Sequence, residues 1–285
     1  MHLKVNKLSE HTGLEILNLN LNKVLDKNTL DNLRNEFIKN SVLVIRNQNL
    51  SSEGFYKSSQ IFGKIFEQHN KKFALKENPL VHYISNQDKF EDGKIYIPGE
   101  GYHTDHSNDP SPPKATVLHA KQVPSFGGDT QFVNMHLVYN QLSNKLKKKI
   151  DQLKAIHVYQ SSHSKRKLMS LSNKVKEQKE TMHSIVKIHP ERGMKCLYIN
   201  PIRIERILGL KGHDTISLLD ELMEHVSKKE FEYRHQWVKG DFVIWDNRIL
   251  MHKANGDYDM NERRYLYRVM IENDWLLKGI LWKNW

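Results

Sequence analysis

From Tyr83 onward the chain is cut into short runs of β-branched and aromatic residues, separated by prolines and by a Gly-Gly-Asp turn. Ile95 to Ile97, Gly101 to Ser107, Thr116 to Ala120 and Thr130 to Val133 are such runs. Pro98, Pro110, Pro112 and Pro113 stand between them, and Gly127-Gly128-Asp129 turns the chain back. Strand composition interrupted so often by breakers predicts a sandwich or jelly roll. Cys196 to Asn200, Asp241 to Trp245 and Tyr265 to Ile271 continue the pattern toward the C-terminus.

Helices flank these strands. Asp26 to Lys39 places Leu30, Leu33 and Phe37 at helical spacing, with Asp26 or Thr29 available as a cap. The run Ser41 to Arg46 then reads as a buried strand, and Ser51 to Phe62 as a second helix that Gly63 ends. Two more helices are expected at Leu137 to Ile150 and Asp214 to Lys229. In the second of these, Ile216, Leu219, Leu222, Met223 and Val226 form an apolar stripe that reads as core packing. No linker or repeat interrupts the chain, so residues 1–285 are expected to be a single, mainly β domain with flanking helices. The polar, basic stretch 163–183 reads as a long excursion, either a lid or a solvated insertion.

The net charge of +11 would attract phosphate-rich partners, but the lysines are scattered and no zinc-finger spacing or basic heptad helix occurs. Nucleic-acid binding is therefore not expected, whereas a basic surface still favours small anions. Cys196 is the only cysteine, which excludes an intrachain disulfide. The first twenty residues lack an apolar run long enough for a signal peptide or membrane span, so a cytoplasmic location is expected.

Chemistry enters at Gly101-Tyr102-His103-Thr104-Asp105-His106-Ser107. On an extended chain His103 and Asp105 share a face, and His106 falls on the other. A distant third donor is available in the segment Trp245 to His252. Two histidines and a carboxylate make a facial triad that leaves adjacent coordination positions open, as Fe(II) oxygen chemistry requires. The same three donors plus water also describe catalytic zinc, so a zinc hydrolase or lyase stays open at this point, as does a noncatalytic basic binding module. Downstream, Arg264 and Arg268 lie four apart on an expected strand, hence on one face and about 13 Å apart. Turned inward, two guanidinium groups require anions.

In order along the chain, HTD, then GGDT (Gly127 to Thr130), then WDNR followed by His252, then RRYLYR, resemble the taurine dioxygenase and 2,4-dichlorophenoxyacetate dioxygenase family of Fe(II)- and 2-oxoglutarate-dependent oxygenases. The resemblance implies a double-stranded β-helix core and His103, Asp105 and His252 as iron ligands. It further implies Thr130 and Arg264 as partners of the distal carboxylate of 2-oxoglutarate, and Arg268 as the residue that holds the substrate anion. The implied reaction consumes O2 and decarboxylates 2-oxoglutarate to succinate and carbon dioxide while hydroxylating a small anionic substrate. Where the hydroxylated carbon bears a heteroatom, that bond then breaks. Trp245, Asp246 and Asn247 are candidates for orienting the ligands, and Tyr102 and His69 for lining the substrate pocket. In the taurine enzyme an asparagine stands four residues before the first ligand, where this chain has Gly99, so an amine-recognising pocket does not follow. Members of the family often form dimers or tetramers.

Overall fold

A computed structural model describes residues 2–68, 71–89, 93, 95–164 and 180–273. Among them a seven-stranded sheet dominates, in the order Val5–Lys7, Leu14–Ile16, Val42–Ile45, Phe242–Asp246, Ala115–Gln122, Tyr265–Ile271 and His82–Ser85. A smaller sheet places Thr130–Asn134 between Glu232–His235 and Leu250–Ala254. Lys154–His157 lies between Ile204–Ile207 and Thr181–Ser184 in a third, and Val186–Ile188 pairs with Lys195–Leu197. The architecture is mainly β with flanking helices.

Side-chain alternation in the large sheet explains its two coats. Leu43, Ile45, Phe242, Ile244, Val117, Val269 and Ile271 face one way, into a core with Leu33 and Phe37 of the first helix and Phe55 of the second. Their neighbours Val42, Val44, Val243, Trp245, Leu118 and Leu266 face the other way, onto Phe132, Tyr233 and Leu250 of the smaller sheet. A strand buried on both faces needs such uninterrupted apolar composition, and Val42–Ile45 has it. The second face, between the two sheets, is where the polar site opens.

The first helix runs Lys27–Asn40 with Asp26 accepting from the Thr29 amide, and the second runs Ser52–Ser59 before a 3₁₀ turn that ends at Gly63. Several sequence expectations need correction. The expected helix at Leu137 to Ile150 is two helices, Met135–Gln141 and Asn144–Ile150, because Ser143 caps the second by accepting from the Leu146 amide. The late helix is Gly212–Val226, and its stripe is Thr215, Leu218, Leu219, Leu222 and Val226, with Ile216 exposed. Ile95 to Ile97 is not a strand; only Ile95 makes a bridge, to Lys89. Nor is Gly101 to Ser107: His103 bridges to His252, after which the chain turns, with His106 at φ +48°. Of the 163–183 excursion, residues 165–179 lie outside the described residues, and its C-terminal end belongs to the strand Thr181–Ser184.

Candidate metal and co-substrate site

His103 and His252 are brought face to face by reciprocal backbone hydrogen bonds of 2.9 and 2.8 Å, which put their ring centroids 4.3 Å apart. The turn that follows carries Asp105 back to the same point. His103 Nε2 lies 3.7 Å from Asp105 Oδ1, and His252 Nε2 lies 3.9 Å from Asp105 Oδ2. One donor atom from each of the three falls within 4.8 Å of the others. These gaps exceed hydrogen-bond length and suit three donors around a common centre. His103 Nδ1 contacts the Gly101 carbonyl at 2.9 Å, which fixes the proton on Nδ1 and turns Nε2 toward the centre. The donor set therefore fits a divalent metal.

Burial opposes the charge on Asp105, but His252, His103, Arg268 and a hydrogen bond from Thr116 hold its carboxyl well below the usual carboxylate range. Thr116 Oγ1 donates to Asp105 Oδ2 at 2.5 Å and accepts from Asn247 Nδ2 at 2.9 Å, while Asn247 Oδ1 accepts from Trp245 Nε1 at 3.0 Å. The Trp245 ring also lies 4.7 Å from that of His252. Two of the three adjacent candidates, Trp245 and Asn247, thus lie in contact with His252 and with the hydroxyl that bonds Asp105. The third, Asp246, points to the opposite side and binds His189 and Arg248. Thr116 carries no local signal in the sequence; only pairing of its strand with Phe242–Asp246 brings it beside Asn247.

Arg264 is 3% exposed, and its Nε donates to the Gly128 carbonyl at 3.0 Å. Burial lowers its guanidinium to about 10, and the described residues place no carboxylate in ion-pair range of it. Trp237 links it to Thr130: the indole donates to Thr130 Oγ1 at 3.0 Å and Arg264 lies over the ring at 5.9 Å. Gly127 and Gly128 are required here. Both have positive φ, and a Cβ would meet the Asp257 carbonyl at 2.4 Å from the first and Arg264 Cδ at 3.3 Å from the second.

Arg268 faces between the sheets, paired in register with inward-facing Leu118. Its terminal nitrogen donates to Gln68 Oε1 at 2.5 Å, whereas its Nε and Gln68 Nε2 are buried without hydrogen-bond partners among the described residues. The two arginines therefore share the inner side but have separate surroundings. The strand begins at Tyr265, and a register shift between Tyr265 and Leu266 separates Arg264 from the regular ladder.

Tyr102 donates to Glu232 at 3.1 Å and packs into the helical core, beneath Lys253; the structure does not bring it to Asp105. His69 lies outside the described residues. Gly99, at φ +88°, accepts from the Ala254 amide, and a Cβ there would lie 3.7 Å from His103 Cε1. His106 is absent from the metal-donor cluster, its ring lying 5.6 Å from that of Phe66.

A two-histidine, one-carboxylate centre, with a buried arginine and threonine held by one indole in the same fold, fits an oxygenase that uses iron and a dicarboxylate co-substrate. The chain belongs to the taurine catabolism dioxygenase TauD, TfdA family, whose model matches residues 4–270. It is 30% identical over 277 residues to the alpha-ketoglutarate-dependent sulfonate dioxygenase of Saccharomyces cerevisiae, covering 94% of this chain and 66% of that protein. An alkylsulfatase of Acinetobacter baylyi is 29% identical over 283 residues, covering 95% of this chain and 86% of the relative. The solved structure of a taurine dioxygenase from Burkholderia xenovorans superposes with a TM-score of 0.79 at 30% identity, covering 95% and 91% of the two chains. The protein is an Fe(II)- and 2-oxoglutarate-dependent dioxygenase, and the zinc hydrolase and noncatalytic alternatives fall away.

Proposed function

We propose that the protein hydroxylates a small anionic substrate, a sulfonate, alkyl sulfate or carboxylate, with decarboxylation of 2-oxoglutarate to succinate. Relatives named for sulfonates and alkyl sulfates support that class. The observation that carries it is Arg268: a cation beside Asp105, with a buried Nε that no described residue satisfies. An acidic group of the substrate supplies that acceptor.

In this reading His103, Asp105 and His252 hold Fe(II), which when bound supplies the oxidising chemistry with O2. Thr116 keeps the Asp105 carboxylate ionised and aimed. The distal carboxylate of 2-oxoglutarate lies against Arg264 and Thr130, where Trp237 fixes the hydroxyl. Arg268 would then hold the substrate's acidic group so that one C–H bond lies toward His103, Asp105 and His252; positioning and exclusion of water are the protein's share of the reaction. We read the two facing sheets as a double-stranded β-helix and the chain as one domain. Among the described residues no helix is long and apolar enough to cross a membrane, and the single cysteine is free and buried, in keeping with a cytoplasmic enzyme.

The test is succinate formation from 2-oxoglutarate with a panel of sulfonates, alkyl sulfates and carboxylates. Turnover should require Fe(II) and vanish in His103→Ala and His252→Ala. Full turnover in either variant would show that the ligand assignment is wrong.

A further inference from the structure

Arg203 is a half-buried cation beside the metal-ligand loop that the family motifs do not mark. Arg203 sits on the turn before the strand Ile204–Ile207, and this turn is strapped to the metal-ligand loop. Asn200, fully buried, donates from Nδ2 to the Thr104 carbonyl at 2.9 Å and to Ser107 Oγ at 3.0 Å, while its own carbonyl accepts from the Arg203 amide at 2.9 Å. Arg203 reaches back to the same loop, donating to Asn108 Oδ1 at 2.6 Å, three residues beyond Asp105, and to the Tyr159 carbonyl at 2.9 Å. Its guanidinium lies 5.2 Å from the centre of the Tyr159 ring. Every acceptor is neutral, and no carboxylate among the described residues is in ion-pair range.

Arg268 stands on the large sheet and faces between the sheets. Tyr159 and Asp105 feel the charge of both arginines, and Asp105 is the one carboxylate that acts on both. Asp105, however, belongs to the metal. Fe(II), ionised Asp105, dianionic 2-oxoglutarate and Arg264 cancel in formal charge, which leaves Arg203 and Arg268 uncompensated. Lys187, whose amine burial brings down to about 7, lies against His183 and the Tyr198 ring and adds only part of a charge to this balance. Two half-buried guanidinium groups with no carboxylate in ion-pair range among the described residues favour a ligand that meets both with acidic groups.

We propose that Arg203 is a second anion-binding residue of the substrate pocket, and that the preferred substrate carries two acidic groups, one held by Arg268 and the other by Arg203. This rests on the dioxygenase reading above and narrows its substrate class from anions to dianions.

The test is anaerobic titration calorimetry of the protein loaded with Fe(II) and 2-oxoglutarate. The ligands are α,ω-sulfocarboxylates of increasing chain length, each compared with the alkanesulfonate of the same length. For at least one length the dianion should bind roughly tenfold or more tightly than its partner, the gain of one charge-assisted contact. Arg203→Gln should erase that advantage, weakening the dianion roughly tenfold or more beyond any loss for the alkanesulfonate, and Arg203→Lys should keep part of it. Equal affinities at every length, no binding of any dianion, or an advantage that survives in Arg203→Gln would each overturn the proposal. Should Arg203→Gln fail to fold, the comparison within the parent protein still decides it. Fe(II)-dependent succinate formation with any substrate, measured separately, shows whether the dioxygenase reading stands when the dianion proposal falls.

Discussion

Two clusters of histidine and carboxylate lie on opposite sides of the strand Phe242–Asp246, and each gathers three donor atoms within 4.8 Å. One is His103, Asp105 and His252; the other is His189, Glu191 and Asp246. Arg248 closes the second, binding Asp246 through Nε at 2.8 Å and a terminal nitrogen at 2.6 Å, and Glu191 at 2.6 Å, while His189 Nε2 lies 3.0 Å from Asp246. In the first, the imidazoles stand 3.7 and 3.9 Å from the carboxylate, too far to bond it. The same residue types thus make a knot bonded to the chain's own arginine in one place and a set of spaced donor atoms in the other. What separates them is whether the chain supplies its own counterion.

Substitutions that exchange these characters test the contrast. Asp105→Asn should have the largest functional effect, abolishing Fe(II)-dependent succinate formation by about a thousandfold or more. The metal-free protein should lose less stability than Arg248→Ala does, because Asp105 has no ion-pair partner at hydrogen-bond distance and is held by the Thr116 hydroxyl and by more distant charges. A large loss of stability would show that the centre also holds the fold together. Arg248→Ala should do the reverse in kind, destabilising by about 3–5 kcal/mol because it strands a buried carboxylate.

The same pair sets a pH dependence. Burial alone would raise the Asp246 carboxyl, but Arg248 and then His189 hold it well below the carboxylate range. A depressed carboxyl stabilises the fold above its unfolded pKa of about 4, and that contribution is lost as pH falls below it. Stability measured against pH should therefore fall less steeply on the acid side in Arg248→Ala than in the parent. An unchanged acid limb would mean that Asp246 does not govern it.

Smaller effects are expected around the open centre. Arg264→Ala should raise the 2-oxoglutarate KM by roughly tenfold or more, with a smaller change in kcat, since a charge-assisted contact contributes about 1.5–3 kcal/mol. An equal rise for the primary substrate would show that the roles of the two arginines are not separate. Thr116→Val, which removes the hydroxyl aimed at Asp105, should weaken Fe(II) binding by about 10–100-fold with little change in the metal-free melting temperature.

What could be read from the sequence divides along similar lines. His103, Asp105, His252, Thr130 and Arg264 were legible because each sits in a short motif and the motifs occur in order. Thr116, Trp237, Gln68 and Arg203 were not. Their partners lie 11, 107, 200 and 95 positions away, and no local pattern encodes a contact made only when sheets and turns come together. The fold class followed from breaker spacing, yet Gly101 to Ser107 was misread as a strand. Its polar and aromatic residues are compatible with an extended chain, but a single bridge to His252 followed by a positive-φ residue is what carries Asp105 back beside His103. The face-sharing argument names a pair of residues that the structure does bring together, for a reason the backbone does not use.

The indoles beside the two ends of the site give the enzyme built-in optical probes. Of five tryptophans, Trp245 stacks near His252 and Trp237 touches both Thr130 and Arg264, while the other three are Trp275, Trp282 and Trp285. Replacing those three with phenylalanine would leave one emitter beside the metal ligands and one beside the co-substrate residues. Their intrinsic fluorescence would then report the order in which the two ends fill, without a label or a turnover assay.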